Sequence, residues 1–373
     1  MSEKLKREVW DLEKCAGCGM CTASCFKGVL DFLEGEEHPS LERKRKILGL
    51  SESELDPCYL CKAPCVESCP RLVTWENGKI ESILSGRSKT PLESGQPVDI
   101  AVSLLYTAFE SGLIDRVLLI GVDKWTFKPT PRFVYTPKEL TESLLNPYVW
   151  TPLLKPLGGV RSRKIAVVGT PCVAQAIKRT MDSSTSELAN FRESIRLVIG
   201  VFCSGTFPYD FVAETIIRDM HIPAWKIRRI DVNHKTGKIL VTLHDGSSKE
   251  ISLTEAQKYT PRGCASCNDF AAEWADISIG TAGSDDGYST IIVRSPVGKE
   301  CLLNAQERGF LETTSKVDTK ELDGFIESKK KREKAQEVDS LLLNMLDALH
   351  KPEKIPEVEK EFSHTFSKKS VKR

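Results

Sequence analysis

The stretch KIAVVGTPCVAQAIKRTM, residues 164–181, sets the fold class. Ile165 to Gly169 form an uninterrupted apolar or small run, which reads as a strand buried on both faces. A Gly-Thr-Pro turn follows, and after Cys172 the segment VAQAIKRTM has helical spacing. A buried strand running straight into a helix is the building unit of α/β proteins. Outward from this stretch the same grammar repeats. VDIAVSLLYTAFESGLID (98–115) reads as a helix stopped at Gly112, and RVLLIGVD (116–123) and RLVIGVFC (196–203) as two more buried strands. KILVTLHDGSSKEISL (238–253) reads as a hairpin turning at Asp245-Gly246. Strands alternating with helices predict a mixed α/β core over residues 76–320, in a chain of α+β or α/β class.

The 373 residues include 13 cysteines, far more than packing requires. Cys15, Cys18, Cys21 and Cys25 are spaced C-x2-C-x2-C-x3-C, and Cys58, Cys61, Cys65 and Cys69 are spaced C-x2-C-x3-C-x3-C before Pro70. Three thiolates packed into one tight turn, here with Gly17 and Gly19, suit the corners of a 4Fe–4S cubane, and the fourth cysteine of such a run commonly serves the other cluster. This predicts a bacterial-ferredoxin-like module over residues 1–75. One cluster falls to Cys15, Cys18, Cys21 and Cys69, and a second to Cys58, Cys61, Cys65 and Cys25. Structural zinc, which favours two separated C-x2-C hooks, fits the spacing less well. The intervening stretch EGEEHPSLERKRKILGL (34–50) is long and charged and reads as a helical surface insertion.

Composition bounds the rest. The chain is 40% hydrophobic and 28% charged, with a net charge of +1. That balance gives no electrostatic case for nucleic acid or a membrane surface. No apolar run approaches the roughly 18 residues of a membrane span. The N-terminus, MSEKLKREVWDLEK, lacks the apolar segment of a secretory signal. A cytoplasmic location follows as the expectation, and there cysteines serve metal or redox chemistry more often than disulfides. Residues 321–373 read as a charged helix, ELDGFIESKKKREKAQEVDSLLLNMLDALH, ending in the basic tail FSHTFSKKSVKR.

Four further cysteines lie in the α/β region: Cys172 in GTPC, Cys203 in VFCSG, and Cys264 with Cys267 in RGCASC. Two end predicted strands, where open α/β sheets place ligands, and two form a C-x2-C hook. They predict a third 4Fe–4S cluster, while Cys301 reads as structural. The following segment, ADISIGTAGSDDGYSTIIVRS, offers Gly280, Gly283 and Gly287 with the hydroxyls of Thr281, Ser284, Ser289 and Thr290. Such loops let backbone N–H groups approach a phosphate or a flavin ring. Lys124, Lys128, Arg132, Lys258 and Arg262 lie near strand ends or these loops and read singly as solvated cations.

The order SGQPVDIAVSLLYTAFESGLID, KIAVVGTPCVAQAIKR, VFCSGTF, then PRGCASCNDFAAEWADISIGTAGSDDGYSTIIVRSPVG resembles the beta subunits of coenzyme F420-reducing hydrogenases. Formate dehydrogenase beta subunits and the input subunit of the F420-oxidising respiratory dehydrogenase share that order. The resemblance spans roughly residues 70–320 and is most specific from Arg262 to Arg294. It implies a mixed α/β domain that binds FAD and a 4Fe–4S cluster, exchanges a hydride with coenzyme F420, and passes single electrons to or from a partner protein. It makes Gly169, Thr170 and Pro171, with Gly280, Thr281, Gly283, Ser284, Gly287, Ser289 and Thr290, flavin-binding candidates. It makes Cys172, Cys203, Cys264 and Cys267 the ligands of the adjacent cluster. The chain departs from the family at Pro97-Val98-Asp99, where an Asp-Gly-Gly is common, and at the Ser-Gly-Thr-Phe after Cys203. These departures bear on the substrate, and they leave open an electron-relay subunit with no soluble substrate of its own.

Overall fold

The computed structural model describes residues 2–33, 35–41, 58, 61–89, 97–142, 148–161 and 163–350. The strands among them are β1 (Ser82–Ser88), β2 (Arg116–Val122), β3 (Pro129–Val134), β4 (Ile165–Gly169), β5 (Ile195–Val201), β6 (Ile227–Asn233), β7 (Lys238–Leu243), β8 (Ser248–Ser252), β9 (Ile277–Gly280), β10 (Ser289–Val293) and β11 (Leu311–Thr314). Eight of them form one mixed sheet in the order β11–β1–β10–β9–β5–β4–β2–β3. Its centre is parallel, with β2 on β4, β4 on β5 and β5 on β9. The flanking strands join antiparallel. Every residue of β4 is buried, as a strand covered on both faces must be, and this is why its sequence is continuously apolar instead of alternating.

Other sequence expectations convert directly. The helix Pro97–Glu110 ends before Gly112, whose φ of 69° is the left-handed stop. The hairpin pairs β7 with β8 in a separate three-stranded sheet, β6–β7–β8, and Gly246 at φ 85° makes its turn. Cys301 is 2% exposed on the helix Pro296–Glu307, its thiol directed at the Leu104 carbonyl, a packing role. β1, with the sequence SILSGRS, has no apolar run to announce it, yet it bridges β10 and β11. Of the proposed helical insertion, residues 35–41 make a turn and an isolated bridge between Asp31 and Ser40, and 42–50 lie outside the described residues. The charged C-terminal helix runs from Thr319 to His350. The basic tail beyond it lies outside the described residues. No helix among the described residues is long and apolar enough to cross a membrane.

Parallel pairing of β4, β5 and β9 brings their carboxyl ends to one edge of the sheet. Cys172 follows β4, Cys203 follows β5 and Thr281 follows β9. The N-terminal cysteine module packs against the same part of the molecule. Cys18, Met20 and Ala23 share one buried apolar cluster with Val167, Val173 and Ile177. The Leu154 N–H donates to the Cys18 carbonyl at 2.9 Å.

Candidate functional site

The two N-terminal cysteine runs share a local device. Each places its third cysteine on a short helix, Met20–Ser24 or Pro64–Glu67. Each helix is entered through a left-handed residue, Gly19 at φ 84° or Ala63 at φ 54°. The buried Ser24 and Ser68 hydroxyls, 3.2 Å apart, tie the two helices together.

Between them the cysteines sort into the sets that spacing suggested. Cys15, Cys18, Cys21 and Cys69 line one cavity, walled by Leu5, Val9 and Trp10. The Gly17 N–H points at the Cys15 sulfur at 3.4 Å, a contact that favours charge on sulfur. Burial pushes the Cys65 thiol up to about 12, and Cys25, Cys58 and Cys61 are the neighbours that raise it further. Burial likewise pushes Cys15 up to about 12, and Cys18 and Cys21 well above the usual thiol range. Thiols so placed do not ionise by themselves; a bound cationic centre deprotonates its thiol ligands outright. Among the described residues no three Cys, His, Asp or Glu side chains converge on a point as ligands of one ion would. In a four-iron cubane each thiolate binds its own iron, so the matching geometry is a lined cavity.

Four of the remaining five cysteines come from three distant segments and lie near one another. Cys172 acts electrostatically on Cys267 and Cys264, and Cys203 on Cys264, Cys172 and Cys267. Cys172 also reaches the first quartet: its sulfur lies 4.0 Å from the Ala16 carbonyl, and it acts on Cys15 and Cys18. Cys65 in turn acts on Cys21. The first quartet therefore borders both of the other sets.

Arg71, two residues past Cys69, occupies the junction between the first quartet and the strand-end set. Its guanidinium donates to the Gly263 carbonyl at 3.1 Å and the Ser266 carbonyl at 3.4 Å, fixing the hook that carries Cys264 and Cys267. Burial works against its charge, but Cys267, Cys172 and Cys264 hold its pKa above the usual arginine value. Spacing rules address only cysteines and pass over this residue. Replacing Arg71 by Met keeps the stem and removes the fork, leaving two carbonyls without their donor. The expected cost is about 1–3 kcal/mol, read as a lower thermal midpoint with iron lost from the hook. Arg71→Lys should recover it only partly, since one ammonium cannot reproduce the fork.

The glycine-containing loop begins at the same sheet edge but uses many of its polar groups internally. Ser284 Oγ lies 2.9 Å from Ser85 Oγ and 2.7 Å from Thr290 Oγ1, and the Thr290 hydroxyl donates to the Ala282 carbonyl at 2.6 Å. The Gly283 N–H donates to Glu321 at 3.1 Å. Gly280 is small because Phe202 fills its place; a Cβ there would meet the ring at 1.9 Å. Gly287 makes an exposed turn at φ 80°, and Ser289 is buried in β10 opposite Gly86. Thr281 Oγ1, by contrast, is buried without a partner and stands one residue past β9. It is the orphaned polar atom on this loop that a bound cofactor would satisfy. At the end of β4, Thr170 Oγ1 lies 3.2 Å from the Cys172 sulfur, and Gly169 packs on Val173 and Leu153.

The two sequence departures and the five cations find definite places. Asp99 is fully buried, with Arg229 at 3.8 Å. Ser204 accepts from Arg332 through its carbonyl at 2.7 Å. Arg262 is engaged with the cysteine module, paired to Glu13 and donating its backbone N–H to Glu37 at 3.0 Å. Lys124, Lys128, Arg132 and Lys258 are exposed.

Comparison with known proteins agrees with this architecture. Residues 83–158 match the coenzyme F420 hydrogenase/dehydrogenase beta subunit N-terminal region, and residues 162–319 the C-terminal region of the same subunit. The coenzyme F420-dependent sulfite reductase of Methanocaldococcus jannaschii is 31% identical over 354 residues, covering 90% of this chain and 52% of the relative. This chain thus spans about half of that enzyme. The coenzyme F420 hydrogenase subunit beta of Methanothermobacter thermautotrophicus is 29% identical over 267 residues, 69% of this chain and 94% of the relative. A chain of the F420-reducing [NiFe] hydrogenase complex from Methanosarcina barkeri shares the fold, with a TM-score of 0.62 at 24% identity over 72% of this chain and 93% of that one. The two contiguous matches show that this chain belongs to the coenzyme F420 hydrogenase/dehydrogenase beta subunit family.

Proposed function

We propose that this chain is an F420-linked redox subunit, exchanging a hydride between coenzyme F420 and FAD and passing single electrons through three 4Fe–4S clusters to or from a partner protein. The observation that carries this reading is the gathering of twelve cysteines into neighbouring sets, one lining a cavity and another lying at the carboxyl ends of β4 and β5. The chemistry such cofactors supply is the conversion between a two-electron carrier and one-electron relays. The chain's own residues supply ligands and position. Cys172, Cys203, Cys264 and Cys267 would hold the cluster beside the flavin, and the N-terminal eight cysteines the two beyond it. The Gly169-Thr170-Pro171 turn and the loop from Gly280 to Thr290 would border the flavin, with the Thr281 hydroxyl as the free donor. Relatives that act on coenzyme F420 support the same carrier here, and the hydrogenase relatives support other subunits as partners.

A pure relay subunit is the second reading. The engagement of the Gly283 amide and the Ser284 and Thr290 hydroxyls within the chain favours it. Iron, sulfide and flavin measured on one anaerobic sample, followed by turnover with reduced coenzyme F420 and an artificial one-electron acceptor, separate the two. About twelve irons, one FAD and sustained oxidation of the carrier are expected. About eight irons, no flavin and no turnover would replace the enzyme with a two-cluster relay.

A further inference from the structure

The family match ends at residue 319, where the helix Thr319–His350 begins. This helix is built into both candidate cofactor regions. Near its start, Asp318 donates its N–H to the Gly283 carbonyl at 2.7 Å and Glu321 accepts from the Gly283 N–H. Three turns on, Lys329 is only 5% exposed and its ammonium donates to the Cys203 carbonyl at 2.5 Å. One turn from the helix's Lys329, Arg332 holds the next carbonyl, that of Ser204.

Lys329 is an expensive residue to bury. An ammonium taken out of water needs compensating negative charge. Burial presses its pKa down, yet Cys267, Cys203, Asp269 and Cys264 together hold it above the usual lysine value. Asp269 has other obligations. It accepts from the Glu273 N–H at 3.1 Å and from Gln175 at 3.4 Å, and burial lifts its carboxyl to about 6. Four neutral thiols would leave the ammonium poorly compensated. Four thiolates on a cluster would compensate it well.

We infer that Lys329 is a positioning residue for the third cluster: buried and held on the Cys203 carbonyl, it sets a fixed positive charge beside that ligand and so raises the cluster's reduction potential. This rests on the three-cluster reading above. One-electron reduction adds a negative charge to a site that already carries four thiolates, and a buried cation favours that added charge. Hydrogen bonding and local charge are the levers by which a protein tunes such a centre. The C-terminal helix thereby becomes part of the redox machinery and not a solvated appendage.

The test uses full-length anaerobic protein, wild type, Lys329→Met and Lys329→Arg, in redox titrations followed by electron paramagnetic resonance, with iron counted on each sample. The Cys264→Ala/Cys267→Ala double variant identifies the third cluster's signal by its loss. In Lys329→Met the reduced-to-oxidised ratio of that cluster at fixed potential should fall at least about tenfold, 59 mV for a one-electron couple. Iron should stay at the wild-type level, the other signals should not move, and Lys329→Arg should restore the ratio. An unmoved ratio with full iron would overturn the assignment, as would loss of the cluster in both variants, which marks a packing role. If wild type itself lacks a signal removed by the double variant, the three-cluster reading fails first and this inference with it.

Discussion

Replacing Cys264 and Cys267 together by alanine should remove about four irons per chain and reduce carrier-driven electron transfer to background. The N-terminal cluster signals should survive. The hook is held in place by backbone carbonyls, those of Gly263 and Ser266 bonded to Arg71, so removing two thiols leaves its anchorage intact. Truncating a small buried side chain such as Cys267 costs little beside the several kcal/mol of emptying a large core residue. Loss of iron without loss of fold is therefore the expected result, read by iron analysis beside a thermal melt. Cys301→Ala is the control: its thiol faces the Leu104 carbonyl in the main core, and iron should not change. Unaltered iron in the double variant would remove the strand-end cluster from this protein.

The second large effect lies at Gly263. A Cβ on this residue would stand 1.8 Å from the Cys15 carbonyl oxygen and 2.5 Å from its carbon. Both are backbone atoms of the first cysteine turn, which is itself wedged in place where Gly17, at φ 65°, faces the Trp150 ring at 2.3 Å from its own ideal Cβ. Neither wall can rotate away, so Gly263→Ala has to part the hook from the module. Overpacking of this kind costs typically 1–3 kcal/mol and more where backbone must move. At about 3 kcal/mol, a chain of this size should melt roughly 4 °C lower. Iron should be lost from the first quartet and the strand-end set in parallel, since both border the displaced contact. Gly324→Ala, with nothing within 4 Å of its ideal Cβ, is the matched substitution and should be neutral or stabilising by up to about 1 kcal/mol.

What the sequence made legible was local. Apolar runs such as Ile165–Gly169 declare buried strands because burial on both faces leaves no polar positions. Cysteine spacing declares which sulfurs come together, because one turn of chain presents three of them. The features that escaped are those whose meaning depends on distant partners. Arg71 is an unremarked cation in CPRL until the hook near residue 265 reaches it. Lys329 sits in the run SKKKREK among cations that face solvent, and only the packing of its helix across Cys203 singles it out. Gly280 looked like a place for a ligand to approach, and the Phe202 ring occupies the room it leaves. β1 was invisible because serines and a glycine make a strand only when β10 and β11 supply the hydrogen bonds.

The shared apolar cluster of Cys18, Met20 and Ala23 with Val167, Val173 and Ile177 has a consequence for biosynthesis. The first cysteine turn leaves the ribosome early, but the surface it packs on is not complete until residue 177 has been made. At about 5–20 residues per second, the intervening stretch takes roughly 10–30 s to synthesise. Throughout that interval the leading cysteines have Leu5, Val9 and Trp10 beside them, but neither the β4 surface nor Gly263. They reach the ribosome's exit as exposed thiols, open to oxidation and to stray metals. Faithful maturation of this protein therefore depends on what guards those thiols during translation as much as on what later fills the site.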